Sequence, residues 1–290
     1  MSAPLTPALP VEAAVAPAVT PPRWLAAIDG VVIALLNVML AAEVLLVFGS
    51  TMVRTLFNTS SMMWVDEVSP LFLVNLAFLG GAVSYGRGQF IAITILVDRA
   101  PPVANGVLKA FAEWLVIGIS LLLGGYSIPL LIANAEEKSL LLGISYVWMT
   151  LPITLGALLF VLHAVRGLAS RAVALNVAGL VVAALCIGAF FLAKPMLGTH
   201  PSLLYLLLGV GFLVLIAVGV PVGFVLATVG IACVQAMGSA EMPAVVMNAQ
   251  RGSGGFIFLA LPFFVLAGFI MDRADVGGRI VDFLDSLIGH

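Results

Sequence analysis

The sequence predicts an all-α integral membrane protein. Hydrophobic residues make up 62% of the 290-residue chain and charged residues only 9%, against about 45–50% and about 25% in ordinary soluble domains. The apolar residues form long unbroken runs, whereas a membrane barrel would alternate apolar and polar residues along strands of about 10 residues. Backbone amides in a bilayer must be hydrogen-bonded within their own segment, so these runs are expected to be helices.

Eight transmembrane helices are predicted, because a bilayer core about 30 Å thick takes roughly 20 apolar residues per helix. The spans are Trp24–Phe48, Val68–Val83, Val107–Ala133, Ile144–Val165, Val173–Leu192, Leu203–Val220, Pro221–Met237 and Phe256–Met271. Residues 1–22 are interrupted by prolines and contain no compact apolar region of the signal-peptide type, which predicts a disordered cytoplasmic tail.

Two further segments are expected to lie on the membrane surface. Phe90–Arg99 follows the second span too closely to begin a new one and is expected along the cytoplasmic interface. In Val276–Ile288, apolar residues including Phe283 and Leu284 recur at helical spacing, while Arg279 and its polar neighbours occupy the other face. This pattern predicts an amphipathic interfacial helix.

The distribution of basic residues predicts a cytoplasmic N-terminus, since cytoplasmic loops are enriched in Lys and Arg. With that orientation the cytoplasmic segments hold eight basic residues and the external segments four. The eight are Arg23, Arg87, Arg99, Lys109, Arg166, Arg171, Arg273 and Arg279, and the four are Arg54, Lys138, Lys194 and Arg251. Membrane lipids are expected as neighbours of the spans.

Charge and motifs exclude several classes of function. A net charge of −2 does not suggest binding to nucleic acid. The sequence contains no phosphate-binding loop, no metal-ligand spacing and no pairing of a nucleophile with a base, so neither an enzyme nor a bound cofactor is predicted. A membrane-embedded enzyme is kept only as a third alternative.

Polar residues within the spans are candidates for function, because an ionised carboxylate at mid-bilayer costs about 2.5–3.5 kcal/mol even on the mildest scale. Asn37, Glu43 and Asn75 lie in the first two predicted spans. Glu43 is near the outer end of its helix, where snorkelling or pairing with Arg54 would give it a structural role instead. Asn75 is expected to form a hydrogen bond between helices.

Two clusters of residues are candidate sites. The predicted loop Gln250–Gly255 contains Ser253, Gly254 and Gly255 and enters a span interrupted by Pro262. Free carbonyls near such breaks form ion and substrate sites in secondary transporters, although a kinked packing helix would give the same sequence. The second cluster comprises four acids expected on the external side, namely Asp66, Glu67, Glu136 and Glu137.

These residues resemble the membrane components of tripartite ATP-independent periplasmic (TRAP) transporters. WVDEVS at Trp64–Ser69 and FLGGAVSYGR at Phe78–Arg87 are similar to the small, Q-type subunit. FLALPFFVLAGFIM at Phe258–Met271, followed by RIVDFLDSLIGH, is similar to the start of the large, M-type subunit. The fifth span then supplies the extra crossing that a fusion of the two subunits needs.

The resemblance implies four regions: the tail 1–22, a Q-type four-helix domain 23–170, a linker helix 171–200 and the beginning of an M-type domain 201–290. It implies an elevator-type transporter of the bacterial inner membrane that accepts a carboxylate solute from a periplasmic solute-binding protein and moves it with sodium. The sodium and substrate groups are expected beyond His290, in the remainder of the M-type domain. The chain is therefore expected to be a scaffold. The four acids are expected either to dock the binding protein or only to orient the helices, and Val276–Ile288 either to serve as an arm or to be a passive interfacial helix. A non-transporting membrane assembly or anchor protein is the alternative.

Overall fold

The structure, a computed structural model, describes residues 22–58, 62–92, 97, 99–199, 201–238 and 241–289. The predicted tail, apart from Pro22, and positions 93–96 and 98 of the predicted interfacial segment lie outside this range. The described residues are helical apart from connecting segments and one isolated antiparallel bridge between Lys138 and Ser145. The predicted all-α class is confirmed.

The helices follow one another in chain order. They are α1 Arg23–Phe57, α2 Val65–Asn75, a π-helical turn Leu76–Gly80, α3 Gly81–Gly86, α4 Pro102–Ala133, α5 Val147–Ala169, α6 Val173–Thr199, α7 Pro201–Ala217, α8 Val222–Met237, α9 Met242–Ser253, α10 Phe256–Arg273 and α11 Val276–Ile288.

Five helical segments among the described residues are long and apolar enough to cross a membrane, and a sixth is added if α9 and α10 form one bent span. The five are α1, the continuous stretch Val65–Gly86, α4, α5 and α6. Helices α7 and α8 have 17 and 16 residues, so at about 1.5 Å per residue each falls short of a bilayer core about 30 Å thick. The total of eight spans stays a prediction.

The main core lies between α4 and α5 and extends to α1, α3 and α8. At one point four aromatic rings meet, with centroids 5.0–6.2 Å apart, from Tyr85, Phe90, Phe160 and Phe224. The carbonyl of Ile91 also accepts a hydrogen bond from the Val222 amide at 3.1 Å. The expectation that Phe90–Arg99 lies along the interface is therefore wrong for Phe90, whose ring packs within the bundle. The Ile91 side chain is 76% exposed, so the interfacial placement stays a prediction from that residue onward.

Helix α6 packs closely along α4. A Cβ placed on Gly179 would lie 2.7 Å from Ala110 Cβ and 2.8 Å from the Phe111 backbone nitrogen, so the two backbones approach as only glycine permits. The Trp114 indole donates to the carbonyl of Asn176 at 3.0 Å. These contacts fix α6 to the bundle along its first half.

We expect Gly179→Val to destabilise the protein, because its added methyl groups meet backbone that cannot yield. Overpacking of this kind costs about 1–3 kcal/mol, and in detergent it should lower the melting temperature by several degrees. Gly188→Val is the matched control, since a Cβ on Gly188 of the same helix meets nothing within 4 Å. Equal melting temperatures for the two variants would contradict close α4–α6 packing.

Candidate functional site

A break between α9 and α10 is the first element of the candidate site. The two helices differ in direction by 41°, and only Gly254 and Gly255 separate them. The predicted loop Gln250–Gly255 is thus wrong for its first four residues, which complete the last turn of α9. Helix α9 was not predicted, because helices were recognised by long apolar runs and this segment is polar. The Ser253 hydroxyl reinforces the turn by donating to the carbonyls of Ala249 at 2.8 Å or Gln250 at 3.1 Å.

Pro262 lies inside α10, where it cannot donate the hydrogen bond that a helix interior requires. The break at Gly254–Gly255 and this proline are therefore two separate interruptions, one between the helices and one within the second. Both remain candidates for a backbone site.

A small cleft opens beside the break. It has a volume of about 210 Å³ and is lined by Arg54, Asp66, Ser69, Pro70, Gly254 and Leu259. Arg54 and Asp66 form an ion pair at 3.4 Å, with both side chains more than half exposed. Such exposed pairs contribute at most about 1 kcal/mol, so the pair can open without a large energetic cost.

Glu43 lies completely buried in α1 and accepts a hydrogen bond on Oε1 from the Ser69 hydroxyl. Its second oxygen, Oε2, has no hydrogen-bond partner among the described residues. Because Arg54 pairs with Asp66, the alternative in which Glu43 pairs with Arg54 is wrong. A buried carboxyl with a free oxygen inside a predicted span keeps Glu43 a candidate for function.

The two asparagines are placed differently from each other. The Asn75 amide donates to the carbonyl of Leu71, one turn earlier in the same helix, at 2.8 Å, so the expected bond between helices is wrong. Asn37 is exposed on the side of α1 that faces away from the described bundle.

All four candidate docking acids lie at the end of the bundle where α1 and α4 end and α2 and α5 begin; we call this the Asp66 end. The Glu67 carboxylate accepts hydrogen bonds from the backbone amides of Leu141 at 2.9 Å and Leu142 at 3.1 Å, and so holds the α4–α5 loop. Glu136 and Glu137 are exposed on that loop. Asp66 and Glu67 thus have structural contacts, while the carboxylates of Glu136 and Glu137 have no partner among the described residues.

The opposite end of the bundle holds a close histidine–aspartate contact and an ion pair that the sequence did not suggest. His163 Nε2 lies 3.2 Å from Asp29 Oδ1 with both side chains buried, and Arg171 lies 2.7 Å from Glu113. Each pair fills a space that is open because a neighbouring glycine has no side chain. A Cβ on Gly86 would collide with the His163 ring, and one on Gly167 would collide with the Glu113 carboxylate. The only sequence signal was an acid within an otherwise apolar run.

An apolar cavity of about 250 Å³ lies between the π-helical turn and helices α4, α5, α8 and α9, with Phe78, Ser120, Phe224 and Ser253 in its lining. Ser120 is 2% exposed, and its hydroxyl has no hydrogen-bond partner in the described structure. Gly156 presses against the π-helical turn, since a Cβ there would lie 2.9 Å from Phe78 Cβ. A π-turn of this kind is frequent at functional sites.

Helix α11 spans Val276–Ile288, the same residues as the predicted arm. Phe283 is 63% exposed and Leu284 45% exposed, and Arg279 is exposed as well. Within the described structure the helix packs mainly on α10. Its apolar face is therefore free to meet lipid or another part of a larger assembly.

Two family models match the chain. The model described as "Tripartite ATP-independent periplasmic transporters, DctQ component" matches residues 43–174. The model described as "Tripartite ATP-independent periplasmic transporter, DctM component" matches residues 209–290. Helices α2 to α5 fall within the first stretch, and α8 to α11 fall within the second.

Several curated proteins are similar to the chain. The sialic acid TRAP transporter large permease protein SiaM of Vibrio cholerae is 39% identical over 80 residues, which are 28% of this chain and 19% of that protein. A putative TRAP transporter small permease protein of Haemophilus influenzae is 31% identical over 78 residues, 27% of this chain and 48% of that protein. The isethionate TRAP transporter permease protein DctMQ of Oleidesulfovibrio alaskensis is 22% identical over 240 residues, 80% of this chain and 36% of that protein.

The chain spans between about a fifth and a half of the length of these relatives. The DctQ match precedes the DctM match in the same polypeptide, which is the order that the sequence predicted. The helices are those of a multi-pass membrane protein, and the family consists of transporters rather than enzymes. The chain therefore belongs to the membrane components of TRAP transporters, with a DctQ-type stretch and a DctM-type stretch joined in one polypeptide.

Proposed function

We propose that this chain forms the fixed membrane scaffold of a secondary transporter that takes its solute from a periplasmic binding protein. The observation that carries the proposal is the packing of the DctM-type helices α9 and α10 on the DctQ-type bundle. Helix α9 contacts α2, α4 and α5, and α10 contacts α1 and α2. Because α9 and α10 pack directly on the DctQ-type bundle, the two stretches form one body. Such a body is suited to stay fixed while a separate carrier domain moves.

The solute is proposed to be an organic anion of the carboxylate class. One relative is named for sialic acid, a carboxylic acid, and another for isethionate, a sulfonate, so both names are those of organic anions. The carboxylate class is what the resemblance implies. Sodium is the proposed coupling ion, with its site outside this chain in the remainder of the DctM component. That component is also the proposed partner of the exposed surface of α10, where Phe264 is 74% and Val265 71% exposed; elsewhere lipids are the proposed neighbours.

Uptake driven by sodium tests this function. Vesicles that carry the complete transporter should accumulate a radiolabelled organic acid when sodium chloride is outside, and should lose most of that uptake when choline chloride replaces it. Equal uptake in both salts would contradict sodium coupling. Failure to accumulate any acid in a broad panel, despite correctly inserted protein, would contradict the transport function.

The proposed orientation places the Asp66 end in the periplasm and the N-terminus in the cytoplasm. A cysteine at Glu136 should then react with a membrane-impermeant maleimide in intact cells, and a cysteine at Ala172 should react only after lysis. Ala172 is preferred to its neighbour Arg171 because Arg171 pairs with Glu113. Labelling of position 172 in intact cells would reverse the orientation.

A further inference from the structure

The break between α9 and α10 lies directly over α2. A Cβ placed on Gly254 would lie 3.1 Å from Pro70 Cβ and 3.4 Å from Val74 Cγ2. Gly254 has φ −88°, a conformation that residues with side chains adopt freely. The closeness of α2, rather than the backbone conformation, is therefore what favours glycine at this position.

Helix α9 is held against the DctQ-type bundle at two further points. Val246 is fully buried in a small core with Val74 and Ile153. The Thr150 hydroxyl, which accepts a hydrogen bond from the Asn134 amide at 2.9 Å, lies 3.4 Å from Gln250 Oε1. These contacts hold α9 in place. A side chain added at Gly254 should therefore displace α10 rather than α9.

Two adjacent glycines cannot define an angle between helices by themselves, because they are the residues with the widest choice of backbone conformation. A defined angle then requires an outside surface on which both helices rest. Helix α2 is that surface, since it contacts both α9 and α10 and presents Pro70 and Val74 to the break.

We propose that α2 of the DctQ-type stretch is the template that sets the angle of the broken helix in the DctM-type stretch, with Pro70 and Val74 as the positioning residues. The DctQ-type stretch thereby sets the geometry of a helix break in the DctM-type stretch. Transporters build ion and substrate sites at breaks of this kind. The inference rests on the assignment of the two stretches to their families and is independent of whether, or what, the chain transports.

Distances between spin labels test the proposal in the purified chain, with Cys186 and Cys233 replaced by serine. A label at Phe269 on α10 is paired with one at Leu158 on α5; both positions are 56% exposed. A second pair, from Asn248 on α9 to Leu158, reports whether α9 stays in place. Phe269 is fifteen residues beyond Gly254, about 22 Å at the helical rise, so each 10° change in angle displaces it by about 4 Å.

Gly254→Leu should shift or broaden the distance from Phe269 to Leu158 and leave the distance from Asn248 to Leu158 unchanged. Gly252→Leu is the matched control, because a Cβ there meets nothing within 4 Å, and it should alter neither distance. Adding Val74→Ala to Gly254→Leu should move the first distance back toward that of the unmodified chain.

The template is ruled out if Gly254→Leu leaves the distance from Phe269 to Leu158 unchanged, or if Gly252→Leu shifts it equally. Should Gly254→Leu fail to fold, Val74→Phe probes the same contact from the α2 side. A shift of the distance from Phe269 to Leu158 in that variant supports the template, and an unchanged distance overturns it.

Discussion

Charging the apolar face of α11 with Phe283→Asp and Leu284→Asp is expected to abolish transport while leaving the protein inserted in the membrane. Burial of a Phe or Leu side chain contributes about 1.5–3 kcal/mol each, and attachment of an interfacial helix scales with the apolar area that it buries. Both side chains are exposed in the described structure, so the change should release α11 from the interface without disturbing the core. An arm that is detached could no longer couple a fixed scaffold to a moving domain.

The control changes the opposite face of the same helix. Asp282→Asn with Asp285→Asn keeps the apolar area and should preserve uptake. Uptake is to be measured in cells carrying the complete transporter and divided by the amount of inserted protein. If the variant with Phe283→Asp and Leu284→Asp transports normally, α11 is a passive interfacial helix and its role as an arm is contradicted.

Neutralising the free acids of the Asp66 end, by Glu136→Gln with Glu137→Gln, is expected to slow uptake several-fold at low salt and to have little effect at high salt. Rim charges act mainly on the rate of association, and about 0.1 M salt reduces their reach to about 10 Å. Neither carboxylate is buried, so the core should be unaffected. Uptake rates at subsaturating binding protein, across a series of salt concentrations, measure the effect.

Glu67→Gln distinguishes a structural role from a docking role at the Asp66 end of the bundle. This carboxylate holds the amides of Leu141 and Leu142, so its neutralisation should loosen the α4–α5 loop at every salt concentration. Asp66 is tied to Arg54 and should show a mixed effect. If all four acids can be neutralised without any salt-dependent change in uptake, the docking surface is contradicted.

Apolar runs were sufficient to predict where most helices lie, because a bilayer demands them whatever the tertiary structure. The ends of those helices were less predictable. Helix α1 continues to Phe57, beyond the predicted end at Phe48, since residues 49–57 are able to form a helix yet are too polar to extend the run. Helix α9 was missed for a similar reason, as its sequence around Gln250 and Arg251 lacks an apolar run.

Which surface a segment faces could not be predicted from its composition. Phe90 belongs to an apolar stretch that would suit a lipid interface equally well, and only the fold shows its ring against Phe160 and Phe224. Similarly, Asp29 and His163 are 134 residues apart, and their pairing depends on the room that Gly86 leaves. The candidate acids were found because charge is rare in this chain, but their partners were not.

Dependence on a soluble periplasmic protein is the most direct test of the proposed function. Spheroplasts of cells carrying the complete transporter are washed free of periplasmic proteins, and uptake of a radiolabelled organic acid is measured before washing, after washing and after the periplasmic extract is returned. We predict that washing abolishes uptake and that the extract restores it. Undiminished uptake by washed spheroplasts would contradict a scaffold that receives its solute from a binding protein.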